Sequence, residues 1–152
     1  GGCLMDILVK VSGDLENSEK FYEWLSSICK PEDKLFVLCG GGTLITQALE
    51  RRDIPFKFGP GGREIESLEG RLLAQQVLEE AMLLTIKNLE KRGIKAVVDI
   101  PVKEIGGKIC HMNGDSYALA LSANFDKIYM VTLEGRVKNL PKEFNKIEVV
   151  YL

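Results

Sequence analysis

Leu35-Phe36-Val37-Leu38-Cys39-Gly40-Gly41-Gly42-Thr43 runs five apolar residues straight into a glycine triplet. The apolar run reads as a strand covered on both faces, and the residues from Thr43 to Arg51 follow as a helix with Leu44, Ile45, Ala48 and Leu49 inward. Upstream, Ile7-Leu8-Val9-Lys10-Val11 has the same character and stops at Ser12-Gly13-Asp14. A helix then opens at Asn17 as N-cap and carries Phe21, Trp24, Leu25 and Ile28 at helical spacing up to Pro31. Strand, glycine turn and helix thus occur twice in the first third of the chain.

Beyond the second unit, Ile54 to Gly62 holds two prolines and three glycines and reads as an irregular projecting loop ending at Arg63. Glu66 to Arg92 is the longest helical stretch. Leu68, Leu72, Leu73, Val77, Leu78, Ala81, Leu84 and Leu89 make a stripe wider than one neighbour can cover, so this helix is expected to pack on the sheet and on a further surface, such as a second subunit. Gly93 stops it, and Ile94 to Ile100 returns as a strand. Val102 to Ile109, with Gly106-Gly107 inside, reads as a hairpin. Asp115 opens a helix through Ala123, and Lys127 to Thr132 and Ile147 to Tyr151 are the last strands. The alternation predicts an α/β fold, a three-layer αβα sandwich around a mostly parallel sheet, with residues 5–152 as one domain.

Composition sets the bounds. The 152 residues, 45% of them hydrophobic, suffice for one core. Twenty basic against 22 acidic residues give a net charge of −2 with no basic cluster, which argues against a nucleic-acid partner. No apolar run reaches the ~20 residues of a membrane span, and no signal peptide is seen, so a soluble cytoplasmic protein is expected. Cys3, Cys29, Cys39 and Cys110 show no CxxC spacing and read as reduced, mostly buried thiols without a metal. Gly1-Gly2-Cys3-Leu4 reads as a non-native remnant ahead of a native Met5.

Several residues could carry chemistry, each with a plainer alternative. A glycine turn between strand and helix lets backbone N–H groups approach an anion at the positive end of the helix, although such a triplet can also serve a tight turn at positive φ. Gly40-Gly41-Gly42 lacks the Lys-Ser/Thr of a P-loop and the third glycine of a dinucleotide fingerprint. Lys10, near the C-terminal end of an apolar strand, is either a cation facing an anionic ligand or a side chain snorkelling to solvent. Asp115 is either an N-cap or a site carboxylate, and Arg63 either a carboxylate clamp or an exposed arginine. His111 and Asn113 lie just ahead of Asp115 and could face the same cleft, while a satisfied loop histidine is the alternative. Glu134, at a strand end, reads as surface charge.

In sequence order, Lys10-Val11-Ser12-Gly13, Cys39-Gly40-Gly41-Gly42, Phe58-Gly59-Pro60-Gly61-Gly62-Arg63, Asn113-Gly114-Asp115-Ser116 and Val131-Thr132-Leu133-Glu134-Gly135 resemble the amino-acid-kinase family over roughly residues 6 to 137. The pattern is most similar to acetylglutamate kinase, and the first motif is also similar to uridylate kinase. The resemblance implies ATP with Mg2+ as phosphoryl donor, a small anionic acceptor and a homodimer through the helix of residues 66–92. It implies Lys10 and Asp115 as catalytic residues, and acceptor contacts from Ser12, Gly13, Gly40, Gly41, Gly42, Arg63, His111 and Asn113. Thr132 and Gly135 would touch nucleotide. Leu133-Glu134 departs from the family's usual Thr-Asp, and the family continues with a further nucleotide-binding segment and a second catalytic lysine. The expectation is therefore a kinase-like phosphotransferase with a shortened nucleotide side, the alternative being a non-catalytic anion-binding or interaction module on the same fold.

Overall fold

The computed structural model describes residues 4–136 and 146–152; the Gly1-Gly2-Cys3 stretch lies outside them. Strand β1 (Asp6–Val11) is the centre of the molecule. Helix α1 (Glu19–Ile28) leads to β2 (Lys34–Cys39), and the glycine triplet leads into α2 (Gly42–Arg51). A small hairpin of β3 (Lys57–Gly59) and β4 (Gly62–Glu64) precedes the long α3 (Leu68–Lys91). Then come β5 (Val97–Asp99), a second hairpin of β6 (Val102–Ile105) and β7 (Lys108–His111), α4 (Gly114–Ala120), β8 (Lys127–Thr132) and β9 (Ile147–Tyr151).

Five strands form one sheet in the order β5-β2-β1-β8-β9, every neighbouring pair parallel. Val9 has no exposed surface and pairs with Val37 on one side and Tyr129 on the other. Strand alternation assigns the layers. Ile7, Val9, Val11, Leu35 and Val37 meet Phe21, Tyr22 and Leu25 of α1 and Leu89 of α3. Leu8, Leu38, Ile128 and Met130 meet Ala118 of α4 on the opposite face. The result is the three-layer αβα sandwich. The chain moves from β1 to β2 and β5 in one direction and resumes at β8 on the other side of β1. The order of the strands therefore reverses between β1 and β8, and ligands of open parallel sheets gather outside the carboxyl ends of strands at such a point.

Several elements differ from the sequence expectation. The segment expected to be an irregular loop contains β3 and β4, closed by Pro60-Gly61 and paired Phe58 to Arg63, because a two-stranded ribbon needs backbone pairing and no apolar alternation. Helix α1 is capped at Ser18, not Asn17, and α4 at Asn113, not Asp115. Only Val97–Asp99 of the expected 94–100 strand pairs with β2. Leu44 of α2, expected inward, is exposed; on α3 Leu73, Leu78, Ala81 and Leu89 are covered within the chain, whereas Leu68, Leu72 and Leu84 are exposed. Of the described cysteines, Cys39 is buried while Cys29 and Cys110 are half-buried.

One buried group fits no apolar pattern. Glu16, in the turn after β1, is 2% exposed and its Oε1 has no hydrogen-bond partner among the described residues. Burial pushes its carboxyl up to about 8, against a smaller opposing pull from Lys10. The folded state then holds a proton that the unfolded chain gives up from its ordinary value of 4.5 onward, so stability falls as pH rises from 4.5 toward 8 and no further above it. Glu16→Gln should flatten that fall, which in the parent protein amounts to on the order of 4 kcal/mol between about pH 5 and about pH 9. Urea unfolding at the two pH values measures it, and identical curves for parent and variant would contradict this account of Glu16.

Candidate functional site

Lys10 follows Leu8 on the α4 face of β1, one residue before the strand ends, and is 9% exposed. A lysine so covered needs an opposite charge, and Asp115 in the first turn of α4 supplies it, with Lys10 Nζ 3.2 Å from Asp115 Oδ1. The cap position is already filled, since Asn113 Oδ1 accepts from the Ser116 N–H at 3.0 Å. That leaves the Asp115 carboxylate for Lys10.

Two glycines let the lysine lie where it does. A Cβ on Gly40 would stand 3.2 Å from Lys10 Nζ, and one on Gly114 would stand 2.8 Å from Lys10 Cε. Gly41 is as tightly held, since a Cβ there would lie 2.6 Å from Leu78 Cδ2. None of Gly40, Gly41 and Gly42 has positive φ. The triplet therefore serves close approach and not a left-handed turn, which removes the plainer of its two sequence readings. Helix α2 starts at Gly42 behind Gly41 with no side chain capping it, whereas Ser67 caps α3 and Asn113 caps α4. No side chain meets the first N–H groups of α2, at the positive end of the helix.

Arg63, from β4, closes the same cleft from the hairpin. Its Nη2 donates to the Gly42 carbonyl at 2.9 Å and to Thr46 Oγ1 at 2.7 Å. Its guanidinium carbon lies 4.9 Å from the centre of the Phe58 ring and 5.5 Å from that of Phe56. Burial lowers the pKa of this group, and its Nε has no acceptor among the described residues. His111, at the end of β7, places Nε2 2.9 Å from the Arg71 carbonyl. Burial pulls its pKa below the ordinary 6.5, with Arg63 and Arg71 acting the same way, so the ring is neutral at pH 7. The plainer reading of His111, a satisfied polar residue, holds for that nitrogen even though the residue lines the cleft.

The cleft measures about 180 Å³ and is lined by Lys10, the glycine triplet, Arg63, His111, Asn113 and Asp115 together with apolar surface from Ile45, Phe58, Leu78 and Met112. Eight of the residues named from sequence thus meet in one cavity. Ser12, Gly13, Thr132 and Gly135 do not line it. Gly13 backs the triplet, for a Cβ there would stand 3.0 Å from Gly41 Cα. The Ser12 N–H donates to the Val131 carbonyl across the β1–β8 junction, and the Ser12 hydroxyl donates to Asp14 Oδ2 at 3.2 Å. Thr132 is buried with Oγ1 unpartnered among the described residues, and Gly135 is exposed at φ 90°. Glu134 is exposed, as a surface charge should be. The residues sequence reasoning missed are Gly114, against which Lys10 rests, and Thr46, Phe56 and Phe58, which hold Arg63. Gly114 and Phe58 stood inside quoted motifs, but nothing in the sequence marks Thr46. Cys39 abuts the triplet but is no nucleophile, because burial pushes its thiol up to about 12 and its Sγ lies 3.4 Å from Thr85 Oγ1.

No family model matches the chain, and no curated protein matches it. Among solved structures, smu.665 from Streptococcus mutans UA159 is similar in fold, with a TM-score of 0.57 at 15% identity over 88% of this chain and 75% of that one. N-acetylglutamate synthase from Neisseria gonorrhoeae, solved with coenzyme A and N-acetyl-glutamate, aligns with a TM-score of 0.52 at 12% identity. That alignment takes in 89% of this chain and 43% of the synthase, so the chain spans less than half of that protein's length. These likenesses establish the α/β fold.

Gly114→Ala should displace Lys10 from Asp115 while leaving the fold intact, because the clash is with the end of a flexible side chain. The expected outcome is a chain that still unfolds cooperatively, at a lower midpoint, with inorganic phosphate binding weakened about tenfold, a loss equal to one charge-assisted hydrogen bond. Phosphate binding as tight as in the parent protein would show that the lysine's position does not matter to the cleft.

Proposed function

We propose that the cleft binds a small carboxylate- or phosphate-bearing metabolite and that the chain is an amino-acid-kinase-like phosphotransferase. The observation that carries this reading is the Lys10–Asp115 pair at 3.2 Å beside the uncapped start of α2. A cation held at a fixed point, with open N–H groups next to it, suits the charge that spreads over a transferring phosphoryl group. In that reaction an acceptor oxygen bonds to the γ-phosphorus of ATP, the bond from that phosphorus to the β–γ bridging oxygen breaks, and ADP leaves. Lys10 and the α2 N–H groups would balance the charge, and Asp115 would fix the lysine. Arg63, which lines the cleft, offers its guanidinium charge to the acceptor's carboxylate, and the apolar wall of Ile45, Phe58 and Met112 suits its carbon skeleton. The donor nucleotide would approach the β1–β8 reversal, where Ser12, Gly13 and the unpartnered Thr132 hydroxyl lie. Among the described residues no cluster of three metal-ligating side chains exists. These residues therefore do not fit a resident metal, and magnesium would arrive on the phosphates of the nucleotide.

One observation favours a second reading. Among the described residues lining the cleft, Lys10 and Arg63 are the cations, whereas the family resemblance implies two catalytic lysines. A binding module of the same fold would need no more. Small-molecule partners fit both readings, and no helix of the described residues is long and apolar enough to cross a membrane.

The two separate in one experiment. Incubation with ATP-Mg and a panel of small carboxylates and phosphomonoesters, read by 31P NMR, should show ADP and a new phosphoryl resonance. Lys10→Ala and Asp115→Asn should each lower that rate by about 10²–10³. Absence of nucleotide binding by calorimetry at millimolar ATP-Mg, with anion binding retained and weakened in Arg63→Ala, would sink the transferase and leave the binding module.

A further inference from the structure

His111 is the single histidine of the chain. It ends β7, paired with Val102 of β6, and lines the cleft. Its two ring nitrogens differ in what they meet. Nε2 lies 2.9 Å from the Arg71 carbonyl oxygen of α3, and a carbonyl can only accept, so Nε2 carries the hydrogen. A neutral imidazole holds one such hydrogen, which leaves Nδ1 as a lone pair. Among the described residues nothing donates to Nδ1, and Nδ1 is not one of the unpartnered polar atoms sealed from solvent.

The surroundings keep the ring neutral. Burial disfavours its charged form most, and Arg63 of β4 and Arg71 of α3 both oppose a further positive charge. Asp115 of α4, the carboxylate among the described lining residues, is paired with Lys10 of β1. The cleft therefore combines two cations, Lys10 and Arg63, with a bare hydrogen-bond acceptor. The cations favour an anion and repel an ammonium, so the donor that suits Nδ1 is uncharged. A hydroxyl is the smallest such group. An amide N–H brings a carbonyl and an acyl arm, and a cleft of about 180 Å³ leaves them little room beside the ~300–1,000 Å³ of pockets for drug-sized ligands.

We propose that His111 selects the ligand of the cleft: the anion held by Lys10 and Arg63 carries a hydroxyl on its carbon skeleton, and that hydroxyl donates to His111 Nδ1. The inference rests on the reading of the cleft as an anion site, and it narrows the class from small carboxylates and phosphates to those that bear a hydroxyl. An anion without the hydroxyl leaves a half-buried acceptor with no donor, which is the situation in which a site discriminates most strongly. The side chains of Ile45, Phe58 and Leu78 give a hydroxyl no hydrogen bond, so one that missed Nδ1 would weaken binding instead of strengthening it.

Two measurements on the intact, untagged chain test this. Two-bond 1H–15N correlation spectra, in which the one histidine supplies every imidazole signal, should show a neutral ring at pH 7 with its hydrogen on Nε2, and the Nδ1 resonance should move when a hydroxy acid is added. Calorimetric titration with racemic 2-hydroxybutyrate and racemic 3-hydroxybutyrate should show at least one of them binding about tenfold tighter than butyrate. His111→Phe, which keeps a ring and removes the lone pair, should abolish that preference. A ring protonated on Nδ1 at pH 7, an equal preference in His111→Phe, or neither hydroxy acid binding more tightly than butyrate while inorganic phosphate still binds, would each overturn the inference and leave the anion cleft standing. Failure of phosphate and of all three acids to bind would remove the anion cleft itself, and the inference with it.

Discussion

The ion pair between Lys10 and Asp115 ties the sheet to the chemistry. Lys10 is the one charged residue in the covered stretch of the central strand, and a lysine that is 9% exposed stays charged there only with a partner. Meeting that need places α4 over the carboxyl end of β1, with its first turn at the lysine and its cap handed to Asn113. It also fixes two positions as glycine, since a side chain at Gly40 or Gly114 would occupy the lysine's path. A buried pair of this kind contributes little to net stability, because the loss of water around both charges offsets their attraction. Its consequence is positional: a cation held at a known point beside an uncapped helix start.

The remaining cleft follows from where the glycine triplet leaves the chain. Because Gly41 packs against Leu78, α2 and α3 sit close enough for the β3–β4 hairpin to reach back over the triplet, and Arg63 binds the Gly42 carbonyl. The guanidinium, stacked on Phe58 and anchored by Thr46, cannot swing freely, so Arg63 is held at the cleft at little entropic cost on binding. The same contact between glycine turns separates this cleft from a second cavity. An anion-friendly cleft lies on one side, and a cavity with a buried acid lies on the other.

Much of this could be read in the residues beforehand, and the failures have physical causes. The strands β1, β2 and β8 announce themselves as apolar runs because both their faces are covered, and the parallel sheet follows from the helices between them. Lys10, Arg63 and Asp115 stand out by type and place. The β3–β4 hairpin was illegible because its pairing is by backbone and its prolines and glycines argue for loop. Helical spacing puts Leu44 inward, yet which edge of a stripe is covered depends on the neighbour's width, which spacing does not encode. Asn113 and Asp115 are equally good caps two residues apart. The choice between them is made by a lysine more than a hundred residues away in sequence. Glu16 had no signal at all, since a glutamate in a turn is ordinary until the turn is seen to be buried.

The measurement that bears most directly on this account is a crystal structure of the chain soaked with inorganic phosphate or a tungstate analogue. The account predicts the anion in the cleft, in contact with Lys10 Nζ and with backbone N–H groups at the start of α2, the Lys10–Asp115 pair retained. An anion bound elsewhere on the chain with the cleft empty, or Lys10 turned out to solvent away from Asp115, would contradict it.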